Sequence, residues 1–379
     1  MSILLLAGEL QRATSKTTAN FINNNSPDVS LQHIRIEVKD KAISLSGTDL
    51  ECMAEYSTIG EEGDGTWSIL VNSKIFSSLI RQFLPDRKVR LDFGKNRLLV
   101  SYGDNLYKLE TKDADVYPNF LKAWECTPNS GRGLCSISIG ELSAAARRVG
   151  YISGGTQRES KIEAISVEIQ PPLIRFICTE GRRIGISTHP CRVGDRESSF
   201  LLGRGSFTET VSVFEKIATR EGEINLSFDD HLVLFSGFGL KVGVRPHAVT
   251  FPDYSLLVNS KTEVEIKVDR KLLLSSISRL SVLSAIALSG HRIRFFAEGP
   301  RLSIETYLSK DNEGREEIEI NPTERLEFFA NGQLLRQGLE AIEDEAVTIS
   351  KQEGELIRLQ PKNPEEQFIY ILAGLRVDG

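Results

Sequence analysis

Asp229-Asp230-His231 is the densest grouping of acid, base and metal-ligand chemistry in the sequence. Adjacent carboxylates beside an imidazole could serve acid-base catalysis or hold a cation. Between two β-rich stretches, however, the triplet has the composition of a hairpin turn, where Asp bonds its own backbone, and the turn is the reading adopted. The five cysteines, Cys52, Cys126, Cys135, Cys178 and Cys191, are odd in number and lack CxxC or Cys/His ligand spacing, so they read as reduced, buried thiols. No GxxxxGK[ST], HExxH or GxSxG occurs, nor GxGxxG after a strand. The chain is therefore expected to be no enzyme and to use no metal or cofactor.

The residues that do form a pattern are cations on amphipathic helices. Helical periodicity is expected over 8–21, 72–84, 139–150, 205–219, 269–283 and 331–342. In the first, Leu10, Ala13, Thr17 and Phe21 make an inner stripe, and Arg12 and Lys16 project away from it. In the second, Ile75, Phe76, Leu79, Ile80 and Phe83 oppose Lys74 and Arg81. Leu142, Ala145, Ala146 and Val149 oppose Arg147 and Arg148; Phe207, Val211 and Phe214 oppose Lys216; Leu273, Ile277 and Leu280 oppose Lys271 and Arg279. The sixth helix breaks the trend, since Arg336 stands beside Glu340 and Glu343.

Solvated helix faces carry Lys and Arg in any protein; repetition is what gives these weight. The chain holds 46 Lys and Arg against 52 Asp and Glu, a net charge of −6. That excludes generic adhesion to nucleic acid, which needs cationic surface. A nucleic-acid role would require segregation, with cations on helices lining an opening and acids on the strands and loops outside.

Those helices belong to a unit of strand, helix and further strands that recurs about every 60 residues. Strands are expected at 34–38, 42–45, 88–93, 165–169 and 293–296. The units pair, because turn-rich joints follow every second one: Val116-Tyr117-Pro118-Asn119-Phe120 and Thr250-Phe251-Pro252-Asp253-Tyr254. With linkers near 121–134 and 255–262, this gives an α+β chain of three similar domains, 1–126, 130–254 and 260–379, each pairing two units around one core. The first residues, Met1-Ser2-Ile3-Leu4-Leu5-Leu6, lack a basic flank and are too short an apolar run for a signal or membrane span, so a cytoplasmic location is expected.

Ser46-Gly47-Thr48-Asp49-Leu50-Glu51, Thr179-Glu180-Gly181-Arg182-Arg183-Ile184, Phe251-Pro252-Asp253-Tyr254 and Leu375-Arg376-Val377 occur in an order and spacing that resembles the bacterial DNA polymerase III beta sliding clamps. The likeness runs from about residue 1 to residue 377. It implies the DNA-clamp fold, with helices lining a ring and sheets outside, and a head-to-tail homodimer that encircles double-stranded DNA and makes a polymerase processive. DNA contacts would come from Arg158 and Lys161 together with Arg12, Lys16, Lys74, Arg81, Arg147, Arg148, Lys216 and Arg279. The dimer would join Tyr107 and Leu109 to Val282 and Leu283. Short peptides of polymerases and clamp-loader subunits would enter a groove between domains two and three, built from Ile162, Thr179, Gly181, Arg183, Ile184, Pro252, Leu257, Ile371, Leu372, Ala373, Leu375, Arg376 and Val377. In it, Arg183 and Arg376 would offer planar donors to the peptide.

Two departures stand out. Asn23-Asn24-Asn25 occupies a loop where the family often places a basic residue, and Ala373-Gly374-Leu375-Arg376-Val377 is followed by Asp378 and Gly379. The second implies an altered peptide preference, as in a specialised second clamp. A peptide-binding scaffold of the same fold that does not encircle DNA is the alternative.

Overall fold

The computed structural model describes residues 1–18, 21–121, 133–152, 163–192, 197–284, 291–309, 312–363 and 365–375. Its helices are α1 (Ala7–Thr18), α2 (Ser73–Arg81), α3 (Ile139–Val149), α4 (Arg204–Glu215), α5 (Ser255–Val258), α6 (Arg270–Ser284) and α7 (Gly332–Glu340). None among the described residues is long and apolar enough to cross a membrane. The chain forms two compact units: Met1–Gly140, Arg192–Arg196 and Gly205–Pro246 make the first, and Glu141–Cys191, Glu197–Arg204 and His247–Gly379 the second.

The first unit holds one antiparallel sheet of 13 strands. The strands Gly133–Ser138, Glu223–Phe228, Val233–Gly237 and Leu240–Val244 lead onto Cys52–Ile59, with Leu240 opposite Tyr56 and Val244 opposite Cys52. Beyond lie Ala42–Thr48, His33–Lys39, Thr66–Asn72, Asn105–Asp113, Arg97–Tyr102, Lys88–Gly94, Ser2–Leu6 and Glu62–Asp64. α1 packs on Ala42–Thr48, Cys52–Ile59 and α2, burying Leu10 and Ala13. Between Glu223–Phe228 and Val233–Gly237, the Asp229 carboxylate accepts the amides of His231 and Leu232 at 2.8 and 2.9 Å, the hydrogen bonding of a tight turn.

The second unit holds an eight-stranded sheet, in order Ser198–Gly203, Ala164–Gln170, Leu173–Thr179, Arg183–Pro190, Phe368–Ala373, Leu356–Pro361, Ala346–Gln352 and Thr262–Asp269. Arg183 stands opposite Leu372 and Ile184 opposite Ile371 where its two halves meet. A long hairpin, Arg292–Ser309 with Asn312–Asn331, packs against α6.

The repeat is visible in how helices begin. The first amide of α1, Ala7, donates to the Arg87 carbonyl, that of α3, Ile139, to Gly222, and that of α6, Arg270, to Glu345, each at 2.8 Å. The next amides follow suit: Gly8 donates to Pro85 and Gly140 to Arg220. A Cβ on Gly8 would lie 3.0 Å from the Pro85 oxygen, and one on Gly140 3.2 Å from that of Arg220, which accounts for glycine at both places.

Two helices end earlier than their periodicity suggests. α1 ends at Thr18, and Phe21, expected on its inner stripe, is fully buried from outside the helix. α4 ends at Glu215, and Lys216 and Ile217 close it by donating to the Val213 and Phe214 carbonyls.

Cationic helix faces and a candidate partner groove

On α2, Lys74 and Arg81 are exposed as expected, but so is Ile75, which was expected to face inward. Arg12 on α1 is exposed and pairs with Glu9 at 2.9 Å. Lys16 corrects the sequence expectation. It is only 5% exposed, with its ammonium 4.0 Å over the Tyr56 ring. Burial, with Arg12 four residues earlier, holds its pKa down at about 8. The reason is geometric: Lys16 lies 60° around the helix from Ala13, at the edge of the buried stripe, and the strand that carries Tyr56 covers that edge.

Arg148 on α3 repeats this. It was expected outward with Arg147, yet it is 7% exposed, 3.1 Å from the Glu366 carboxylate and 5.9 Å from the Phe368 ring. Arg147 is exposed but pairs with Glu343, and Arg279 pairs with both oxygens of Glu316. Arg336 contacts Glu340 at 3.5 Å, so the sixth helix neutralises itself as expected. Lys216 is exposed in the turn after α4. Arg158 and Lys161 lie outside the described residues.

Strand Asn105–Asp113 pairs along Asn105–Glu110 with Arg97–Tyr102, and only Thr111–Asp113 reach the next strand. Its other edge is thus open over Tyr107 and Leu109, which are half-buried, while Leu106 is exposed. At the end of α6, Val282 is 69% exposed, whereas Leu283 is half-buried against Gly314.

The groove residues divide between the two faces of the eight-stranded sheet, as strand alternation requires. Ile184, Ile371 and Leu257 share one apolar cluster with Ile177, Ile186 and the joint residues Phe251, Tyr254 and Val258. Arg183 and Leu372 point the other way. Leu372 is fully buried. Arg183, expected to offer free donors, is buried with its guanidinium 2.7 Å from the Glu180 carboxylate, in contact with Gln337, and 3.5 Å from the Tyr370 hydroxyl. Pro252 and Ala373 are exposed at the cluster's rim. Thr179 bonds the Arg183 carbonyl at 2.9 Å, which shapes the turn where Gly181 takes φ +89°. Leu375 lies apart, lining a cavity of about 700 Å³ with Phe328, Phe329 and Lys351. Ile162, Arg376 and Val377 lie outside the described residues.

The two joints are built alike and differ in exposure. In the first unit, Tyr117, Leu121, Leu232 and Leu234 are buried together with Met53 and Leu70. In the second, Phe251, Tyr254, Leu257 and Val258 are only partly covered, and Leu256 is 85% exposed. The motif Phe251-Pro252-Asp253-Tyr254 is held in place by Asp253, which accepts the Ser255 amide at 2.9 Å, and by Tyr254, which reaches Glu168. Sequence reasoning missed Tyr254, Val258 and Glu168 as parts of this surface. Alternation from Ile371 back to Ile369, and from Ile184 to Ile186, was the available signal.

Comparison with solved structures places this architecture in the DNA-clamp fold. The DNA polymerase III subunit beta of Pseudomonas aeruginosa matches with a TM-score of 0.88 at 18% identity over all of both chains. The beta subunit of Thermotoga maritima matches with a TM-score of 0.83 at 20% identity over 99% of each. Residues 9–121 match the model of the DNA polymerase III beta subunit, N-terminal domain. The beta sliding clamp of Haemophilus influenzae is 22% identical over 312 residues, 79% of each chain, and that of Escherichia coli is 22% identical over 300 residues, 76% of each. The chain thus shares the fold of the DNA polymerase III beta subunits over its whole length and resembles the beta sliding clamps in sequence, with residues 9–121 matching their N-terminal domain.

Proposed function

We propose that this chain encircles duplex DNA as a head-to-tail ring of two copies, each of three domains (1–126, 130–254 and 260–379), and tethers a polymerase to its template in the cytoplasm. The observation that carries the DNA reading is the exposed pair Lys74 and Arg81 on α2, which has no carboxylate partner among the described residues of a chain with net charge −6. Such cations bind phosphate without reading bases, as sliding requires. Exposed Lys216 would join them directly, and Arg12, Arg147 and Arg279 once DNA competes for their carboxylates, with Arg158 and Lys161 adding to the set.

Ring closure would place the open edge at Tyr107 and Leu109 of one copy against Val282 and Leu283 of the other. The partly covered cluster around Ile184, Leu257 and Ile371 would take the apolar anchors of a short linear peptide from a polymerase or clamp-loader subunit. Gly181 and Thr179 would shape its mouth and Ala373 its rim; Ile162, Arg376 and Val377, proposed for the same groove, lie outside the described residues, and Leu375 would act from the neighbouring cavity.

A second reading, a peptide-binding scaffold that does not encircle DNA, is favoured by the neutralised cations Arg12, Arg147 and Arg279. A topological experiment separates the two. The protein is loaded by a clamp loader onto nicked circular DNA, which is then linearised. Retention on the circle and loss from the linear form supports the clamp; equal behaviour on both rejects it.

A further inference from the structure

Arg358 lies on strand Leu356–Pro361 between Ile357 and Leu359, which are fully buried on the opposite face of the sheet. It stands opposite Ile371 on one side and Ser350 on the other, so its side chain leaves the sheet on the same face as Ile371 and Ile184. The side chain is half-buried. One terminal nitrogen donates to the carbonyl of Val258, at the end of α5, at 3.3 Å, while Nε is buried with no hydrogen-bond partner. Burial lowers its pKa, and no anion among the described residues offsets that. The acid nearest in sequence, Glu355 in the turn before the strand, is engaged by Lys351 at 3.3 Å. Arg183 is the contrast, since its guanidinium is met by Glu180 and Tyr370.

A guanidinium at an apolar surface with spare donors and no counter-ion carries an unrecovered desolvation cost, which an arriving carboxylate would offset. We infer that Arg358 makes the groove selective for linear peptides that carry an acidic side chain beside their apolar anchors. This rests on the peptide-groove reading above. A bare bracing role at the end of α5 would instead affect every peptide alike.

The test uses the full chain and fluorescent hexapeptides with fixed Leu and Phe anchors, in which Asp, Glu, Asn or Ala is placed at each remaining position in turn. Wild type should bind the best Asp or Glu peptide about tenfold tighter than its Asn counterpart, the worth of a charge-assisted hydrogen bond. Arg358→Gln should abolish that ratio and leave the Asn affinity within about twofold. Arg358→Lys should restore part of it. Equal binding of Asp and Asn peptides by wild type, or uniform weakening of all peptides by Arg358→Gln, would overturn the inference and leave the groove intact. Failure of every hexapeptide to bind wild type would remove the groove and this inference with it.

Discussion

The Tyr254 hydroxyl lies 2.8 Å from both carboxylate oxygens of Glu168, 86 residues away in sequence. This contact pins the joint Phe251–Tyr254 to strand Ala164–Gln170, on the same face of the eight-stranded sheet as Ile177 and Ile184, and fixes where α5 begins. Tyr254→Phe keeps the ring in its cluster and removes only the tether. It should lower stability by about 1 kcal/mol, less than a fully buried charge-assisted bond would give. It should also weaken apolar peptides by a few fold, which anisotropy and urea denaturation would measure. Unchanged peptide affinity would show that the joint holds its place without the tether.

Lys74 and Arg81 differ from Lys16 in a way that salt can report. If the first two contact phosphate, replacing either with Ala should reduce the slope of log affinity against log salt by about 0.9. Lys16→Met should leave the slope unchanged, because its ammonium is occupied over Tyr56. A reduced slope for Lys16→Met would mean that this lysine swings out to meet DNA.

Lys16 also makes a prediction about stability. Its pKa falls from 10.5 to about 8 on folding, chiefly through burial, so between pH 8 and pH 10.5 the unfolded chain holds a proton that the folded chain lacks. Stability therefore rises with pH through that window. Lys16→Met should be more stable than the parent at pH 7, by about 1 kcal/mol, with the advantage shrinking toward pH 10.5. Denaturation midpoints at pH 7 and pH 10 measure this; a variant weaker than the parent at pH 7 would show that the lysine's contact with Tyr56 outweighs its burial.

His189 links Ser187, at 2.7 Å, to Glu141 at the start of α3. Burial lowers its pKa below 6.5, against the pull of Glu141. The unfolded chain thus takes up a proton before the folded chain does, and stability falls as pH drops below 6.5. The Glu141 carboxyl, held low by His189, extends the loss below pH 4.5. His189→Gln should flatten the dependence between pH 7 and pH 5, and parallel curves for variant and parent would refute this.

Val282 is exposed enough to be changed without disturbing the core. If two copies meet at the end of α6 as proposed, Val282→Asp should shift the sedimenting species from dimer to monomer while leaving the thermal transition within a few degrees of the parent's. A dimer that survives this change would move the contact away from the end of α6.

The elements were legible because their periods are strong. Leu10 and Ala13, or Phe76 and Ile80, recur at helical spacing, and Ile34, Ile36 and Val38 at strand spacing. What periodicity does not show is which neighbour covers the border of a stripe, and so Lys16 and Arg148, each 60° from an inward alanine, were placed outside. Arg148 is the tenth residue of α3 as Lys16 is of α1. The shared tripeptides Gly8-Glu9-Leu10 and Gly140-Glu141-Leu142 would have aligned the two helices. The resemblance located the partly covered cluster, since Ile184, Leu257 and Ile371 do meet there. It did not separate the two faces of the sheet, which set Arg183 and Leu372 apart from them, because the register that decides this joins strands 183–190 and 368–373, far apart in the chain.

The strands that join the two halves of each sheet, Leu240–Val244 with Cys52–Ile59 and Arg183–Pro190 with Phe368–Ala373, are sewn by peptide groups. Every residue except proline supplies the same amide and carbonyl. Such seams tolerate wholesale exchange of side chains, provided strand length and pleat are kept. A lineage can then drift until roughly four residues in five differ from its cousins and still assemble the same frame, leaving selection free to rewrite what that frame grips.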